Sequence, residues 1–180
     1  FIKEGLSHFT EGEVSILEVG LGTALNAVLS FDYAAASGLQ LHYTALEAYP
    51  LAKEIWQQLS FGKKFDVLFS HIHEAAWNTE LSLAAGTLIK HHMQVQDFQA
   101  ARTFDLIYYD AFAPSKQAEM WTEERMRQMH GMLKTKGLLV TYCANGQFKR
   151  NLKAAGFEVQ CPPGPAGKRE MTVGIRRVDR

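Results

Sequence analysis

Apolar residues along this chain fall into short runs, separated by stretches with helical spacing. Ser15 to Val19 is the first run, and Gly20-Leu21-Gly22 follows it. A helical pattern then extends from about Thr23 to Ala36 and is stopped by Gly38. Leu41 to Leu46 alternates, with Leu41, Tyr43 and Ala45 on one face, which predicts a strand. Pro50 suits the first turn of a helix, Leu51, Ile55 and Leu59 continue at helical spacing, and Gly62 closes that element. Phe65, Leu68, Phe69 and Ile72 predict another helix, and Leu88 to Val95 alternates like a strand. Phe104 to Tyr109, apolar apart from Asp105, has the character of a buried strand. Thr122 is placed to cap a helix in which Glu123 and Glu124 complement the positive N-terminal end. Met126, Met129 and Leu133 form its inner stripe, and Gly137 ends it. Leu138 to Cys143 predicts the next strand, and Phe148, Leu152 and Ala155 a helix stopping at Gly156. Two last strands, Phe157 to Cys161 and Glu170 to Arg176, flank a loop with Pro162, Pro163, Gly164, Pro165 and Gly167. That link is too short for a helical crossover, so the pair is antiparallel. The alternation predicts an α/β fold: a mostly parallel sheet with an antiparallel C-terminal hairpin.

Composition adds limits. The 180 residues carry no repeat, low-complexity tract or Pro/Ser-rich linker, so a single domain over 1–180 is expected. The chain begins at Phe1 rather than Met, and a preceding segment is expected. No run approaches the roughly 20 apolar residues of a membrane span, and no signal-peptide pattern is present. Cys143 and Cys161 lie far apart without metal-type spacing, which predicts reduced thiols and a cytoplasmic protein. Net charge is zero but unevenly spread. Residues 1–133 hold 9 Lys+Arg against 16 Asp+Glu, and residues 134–180 hold 10 against 3. A basic C-terminal quarter is a footprint for a phosphate backbone or a solvated face.

In an open α/β sheet, ligands sit beyond the carboxyl ends of the strands. At the first such end, Glu18 precedes Gly20 and Gly22, whose missing side chains permit a tight turn and close approach to a ligand. A dinucleotide fingerprint requires a third glycine where Leu25 stands. Its absence, with an acid ahead of the turn, suits a cationic ligand better than a pyrophosphate. S-adenosyl-L-methionine carries such cations, an ammonium and a sulfonium. Glu47 at the second strand end is placed to accept both ribose hydroxyls, and Asp97 after the Leu88 strand to accept from an adenine amino group. Asp110 ends the Phe104–Tyr109 strand and opens the loop Ala-Phe-Ala-Pro-Ser-Lys.

These stretches resemble a known family. Leu17-Glu-Val-Gly-Leu-Gly-Thr-Ala-Leu-Asn26, Glu47-Ala-Tyr-Pro-Leu51, Tyr109-Asp-Ala-Phe-Ala-Pro-Ser-Lys116 with Met120-Trp121, and Lys168-Arg-Glu-Met171 are similar to the methyltransferase domain of MnmC. The likeness runs in order over nearly the whole chain. It departs at Ala24 and Ala111, where the family often has Gly. The resemblance implies a Rossmann-like class I S-adenosyl-L-methionine-dependent methyltransferase. Its reaction would be methylation of the 5-aminomethyl group of the wobble (2-thio)uridine in tRNA. Cofactor binding then falls to Glu18, Gly20, Gly22, Asn26, Glu47 and Asp97, and Asp110 becomes the catalytic residue that orients the amine or takes its proton. Phe112 and Trp121 are candidates to stack on the base, and Lys116, Lys149, Arg150, Lys168 and Arg169 to meet the anticodon loop. No second dinucleotide fingerprint appears, so a stand-alone form without a flavin domain is expected, with a separate enzyme supplying the aminomethyl group.

No metal site is expected: His71 and His73 have the wrong spacing for one helix face, and His91 and His92 point oppositely on a strand. The competing readings are an aminopropyltransferase-like or small-molecule methyltransferase, which needs no basic face, and a cofactor-binding module, which does not need Asp110.

Overall fold

The computed structural model describes every residue except 165, 166, 168 and 178–180. It divides the chain into two compact units, one built mainly on Phe9–Phe98 and one on Gln99–Arg180 with Lys3–His8.

In the first unit the chain forms β1 (Glu13–Val19), α1 (Leu25–Ser37), β2 (Gln40–Glu47), α2 (Lys53–Trp56), α3 (Lys63–Glu74), β3 (Glu80–Leu83) and β4 (Gly86–His92). The strands lie in the order β3-β4-β2-β1. β1 and β2 pair in parallel, as do β2 and β4, while β3 and β4 are antiparallel. β1 is buried from Val14 onward, as its continuous apolar run requires. β2 keeps Leu41, Tyr43 and Ala45 on its buried face. Gly38, with φ 79°, stops α1 in the left-handed conformation that glycine adopts without strain.

Three expectations shift here. The helix after Pro50 is a single turn whose buried residue is Trp56, whereas Ile55 is 52% exposed. Gly62 does not close it but precedes α3. β3 escapes notice because a four-residue edge strand with alternate half-buried positions carries little apolar signal. Its partner β4 ends at His92, earlier than the alternation through Val95 suggests, and Val95–Asp97 is a short 3-10 turn.

The second unit contains β5 (Phe104–Tyr109), a 3-10 turn at Ala118–Trp121, α4 (Glu123–Met132), β6 (Leu133–Thr141), α5 (Gly146–Ala154), β7 (Phe157–Gln160) and β8 (Thr172–Arg176). The order is β5-β6-β8-β7, with β5 and β6 parallel and both contacts of β8 antiparallel. The short terminal link thus forms a hairpin, as its length dictates. Thr122 caps α4 by accepting from the Arg125 amide at 3.3 Å. Asn145 caps α5 through two amides, Gln147 and Phe148. α4 stops at Met132, not at Gly137: Leu133 is already the first residue of β6. The helical stripe extends falsely because Leu133 is buried as a strand residue. Residues 134–137 then bulge against the single β5 residue Asp105, with Lys136 at φ 65°.

Candidate cofactor and acceptor sites

The glycine turn after β1 is tied to the end of β2 by its own amides. Gly20 and Leu21 donate to the Leu46 carbonyl at 2.9 and 3.2 Å, and Ala24 donates to the Leu21 carbonyl at 2.7 Å. Gly22 donates to Glu47 Oε2 at 2.8 Å. Glu47 Oε1 accepts from the Tyr49 amide at 2.8 Å. Both carboxylate oxygens therefore point where the turn holds them, and each keeps lone-pair capacity for a further donor such as a ribose hydroxyl. A pyrophosphate site works by aiming unfilled amides at the phosphate. Four amides of this turn are already bonded within the protein, which fits a cofactor without phosphate.

Glu18 sits otherwise than expected. It is fully buried, Oε1 accepting from Asn26 Nδ2 and Oε2 from the Tyr43 hydroxyl, both at 2.9 Å. A sealed carboxylate does not touch a ligand; it fixes Asn26, at the start of α1, and Tyr43. Asp97 also needs correction. It lies on the 3-10 turn, exposed, five residues past the end of β4. Gln94, exposed and bonded to Gln96, stands nearer to that strand end.

Beside Gly22 and Glu47 opens a cavity of about 430 Å³, lined also by Trp56, His73, Trp77 and Lys90. The His73 ring stacks on Trp56 (centroids 5.0 Å, interplanar angle 16°) and packs against Phe69. Lys90 Nζ donates to the His73 carbonyl at 2.7 Å and lies 4.7 Å from the Trp77 ring centroid. Burial pulls the Lys90 ammonium down to about 8. Sequence did not bring Trp56, His73, Trp77 and Lys90 together, because they come from α2, α3, the link after it and β4 and share no motif.

In the second unit, Asp110 leaves β5 exposed to solvent. Tyr142, one residue past β6, has its phenol pushed up by burial and, after that, by the Asp110 charge. The Asp110 charge is thus felt at the Tyr142 phenol, which stays protonated. Phe112 is 65% exposed, and Lys116 is exposed on the same loop. Trp121 is not available for stacking. It is 5% exposed, donates Nε1 to the Phe112 carbonyl at 2.8 Å, and meets Tyr109 and Phe148 edge-on. Its indole holds the Asp110–Lys116 loop from beneath. The Tyr109 hydroxyl, kept neutral by burial, donates to the Met120 carbonyl and secures the 3-10 turn that follows that loop.

The basic residues divide. Lys149 is paired with Glu170 at 2.5 Å, a contact that raises its pKa and largely cancels its charge. Arg150 is exposed and bonded to the neutral Gln147 side chain, so its charge remains uncompensated there. Arg169 is exposed, and Lys168 lies outside the described residues.

Comparison with known proteins places the chain among methyltransferases. A tRNA 5-methylaminomethyl-2-thiouridine biosynthesis bifunctional protein MnmC from Marinomonas sp. (strain MWYL1) is 32% identical over 172 residues, taking in 88% of this chain and 26% of that protein. The protein of the same name from Chromobacterium violaceum is 30% identical, over 91% of this chain and 27% of its own length. The chain thus spans about a quarter of the length of these relatives. Among solved structures, MNMC2 from Aquifex Aeolicus superposes with a TM-score of 0.77 at 20% identity, over 90% of this chain and 53% of that one. A methyltransferase from Pyrococcus furiosus gives 0.62 at 16%, over 96% and 80%. These likenesses show the α/β methyltransferase fold. A family model for S-adenosyl-L-methionine-dependent methyltransferases matches residues 44–177, from the end of β2 to the last strand, and the chain belongs to that family.

Proposed function

We propose that this protein transfers a methyl group from S-adenosyl-L-methionine to the 5-aminomethyl nitrogen of the wobble (2-thio)uridine in tRNA. The observation that carries the reading is the match, along about nine-tenths of the chain, to proteins named for 5-methylaminomethyl-2-thiouridine biosynthesis. The cofactor, when bound, supplies a methyl carbon made electrophilic by its sulfonium. Glu47 receives the ribose hydroxyls, the Gly20–Gly22 turn lets the cofactor come close to the backbone, and Asn26, braced by Glu18, borders it. Asp110 holds the acceptor nitrogen. As the nitrogen–carbon bond forms and the sulfur–carbon bond breaks, the nitrogen sheds one proton, to Asp110 or through it to water, and a neutral thioether leaves. Tyr142 donates beside Asp110, and the exposed Phe112 ring stacks on the base. Arg150 and Arg169 meet phosphates, as readers of unpaired loop bases commonly do. The reaction takes place in the cytoplasm, and a separate enzyme that installs the aminomethyl group on C5 precedes this one.

The test is methyl transfer from labelled cofactor to tRNA from cells lacking this modification, followed by nucleoside digestion and mass spectrometry. One added methyl on the wobble nucleoside is expected. Label appearing only on small free amines, with tRNA unmodified, would overturn the tRNA reading.

A further inference from the structure

The cofactor turn is gripped from a second side. His73 Nε2 lies 3.2 Å from the carbonyl of Thr23, the residue after Gly22. A carbonyl has no hydrogen to give, so Nε2 must carry the proton and act as the donor. Three contacts fix the ring in that pose: Trp56 stacked on one face, Phe69 at 4.5 Å, and Lys90, whose ammonium binds the His73 backbone carbonyl at 2.7 Å. Lys90 is 2% exposed, and the His73 carbonyl is its one hydrogen-bond acceptor among the described residues. A buried ammonium is costly unless it is hydrogen-bonded or paired. Here it anchors the last turn of α3, whose terminal carbonyls have no intrahelical partner.

We propose that His73 and Lys90 are positioning residues for the cofactor: Lys90 anchors the end of α3, and the His73 ring fixes the Thr23 carbonyl and with it the Gly22–Glu47 contact. The proposal rests on the reading that Glu47 receives the ribose. The turn needs such support because Gly22 and Ala24 both stand in left-handed conformations, at φ 50° and 59°. An alanine there is strained, and the strain persists only where surrounding contacts hold it. The sequence hides the arrangement, since His73 and Lys90 lie 50 and 67 positions beyond Thr23.

Calorimetric binding of S-adenosyl-L-methionine to purified variants tests this, and it needs no tRNA, so failure of the tRNA reading does not enter. His73→Phe keeps the aromatic stack and removes the donor; His73→Gln keeps a donor. A lost hydrogen bond of ordinary strength corresponds to a roughly 3- to 10-fold rise in Kd. That rise is expected for His73→Phe and Lys90→Met, with recovery to within about twofold in His73→Gln. Equal weakening in Phe and Gln variants would reduce His73 to packing and overturn the proposal, as would unchanged Kd in both His73→Phe and Lys90→Met. Glu47→Gln is measured alongside. Unchanged cofactor binding in that variant would remove the ribose reading and this proposal with it, whereas weakened binding there beside an unaffected His73→Phe would sink the proposal alone. Thermal unfolding of each variant confirms that a folded protein is being compared.

Discussion

A carboxylate's neighbours decide what it can do. Glu18, Glu47 and Asp110 are acids at the carboxyl ends of β1, β2 and β5, and sequence places each at a strand end. Glu18 is sealed by Asn26 and Tyr43, Glu47 is held open by two amides, and Asp110 is exposed near Tyr142. Glu47→Ala should therefore weaken S-adenosyl-L-methionine by about 1.5–3 kcal/mol, the range for a bond to a charged group. Calorimetry checks it, and unchanged affinity would remove Glu47 from the site. Asp110→Ala should keep cofactor affinity and lose most turnover, because the amine loses its alignment. Asp110→Asn separates two roles. Recovery of rate at higher pH, where the amine is already neutral, indicates orientation; a loss equal at every pH indicates proton acceptance. Full activity of both variants would take Asp110 out of the mechanism.

Elements depend on a few positions that periodicity does not reveal. β4 begins at Gly86, with φ 126°, and a Cβ there would lie 2.0 Å from the Leu41 carbonyl oxygen in β2. Leu41 pairs with Gly86 at one end of the ladder that carries Glu47 at the other. Gly86→Ala should cost at least about 2 kcal/mol, since backbone strain and a backbone clash act together. Urea unfolding measures it, and a loss under about 0.5 kcal/mol would show that the strands separate easily. Strong apolar runs and helix punctuation made β1, β2, β5, α1 and α5 legible. One-turn α2 and edge strand β3 were not, because four residues give too little periodicity to register. The boundary of α4 failed for another reason: a buried leucine serves a helix stripe and a strand equally well.

On the molecular scale, the charge asymmetry of the sequence overstates the free basic surface. If basic side chains here contact tRNA phosphates, affinity falls with salt, and each lost contact flattens the log–log slope by about 0.7–0.9. Arg150→Ala should flatten it by that amount and Lys149→Ala by clearly less, since Glu170 already neutralises Lys149. Equal effects from the two would show that the ion pair opens on binding. Lys90 gives a second whole-protein readout. Its pKa falls from about 10.5 in an ordinary lysine to about 8, so the folded state binds fewer protons in that window. The stabilisation this contributes is fully present above pH 10.5 and is lost as pH falls through 8. The parent should therefore gain stability relative to Lys90→Met between pH 8 and 10.5, as read by urea unfolding at several pH values. A constant difference would mean that the amine titrates normally.

Sequence alone determined the fold class, the glycine turn, the acid that ends β2 and the acid after β5, and the family motifs led to the cofactor. All of these are local: a strand, its turn and the next residue are fixed by neighbours a few positions away. Tertiary structure decided that Glu18 is sealed while Glu47 stays open, that Trp121 belongs to the core, that Lys149 is spent on Glu170, and that His73, anchored by Lys90, reaches the glycine turn. Each of those outcomes depends on which distant side chain fills the remaining hydrogen-bonding capacity or surface of a group. The partners lie 8 to 50 positions apart: Asn26 from Glu18, Thr23 from His73, Glu170 from Lys149, Phe148 from Trp121. Periodicity places a side chain on a face, and only the folded chain says what else has arrived there.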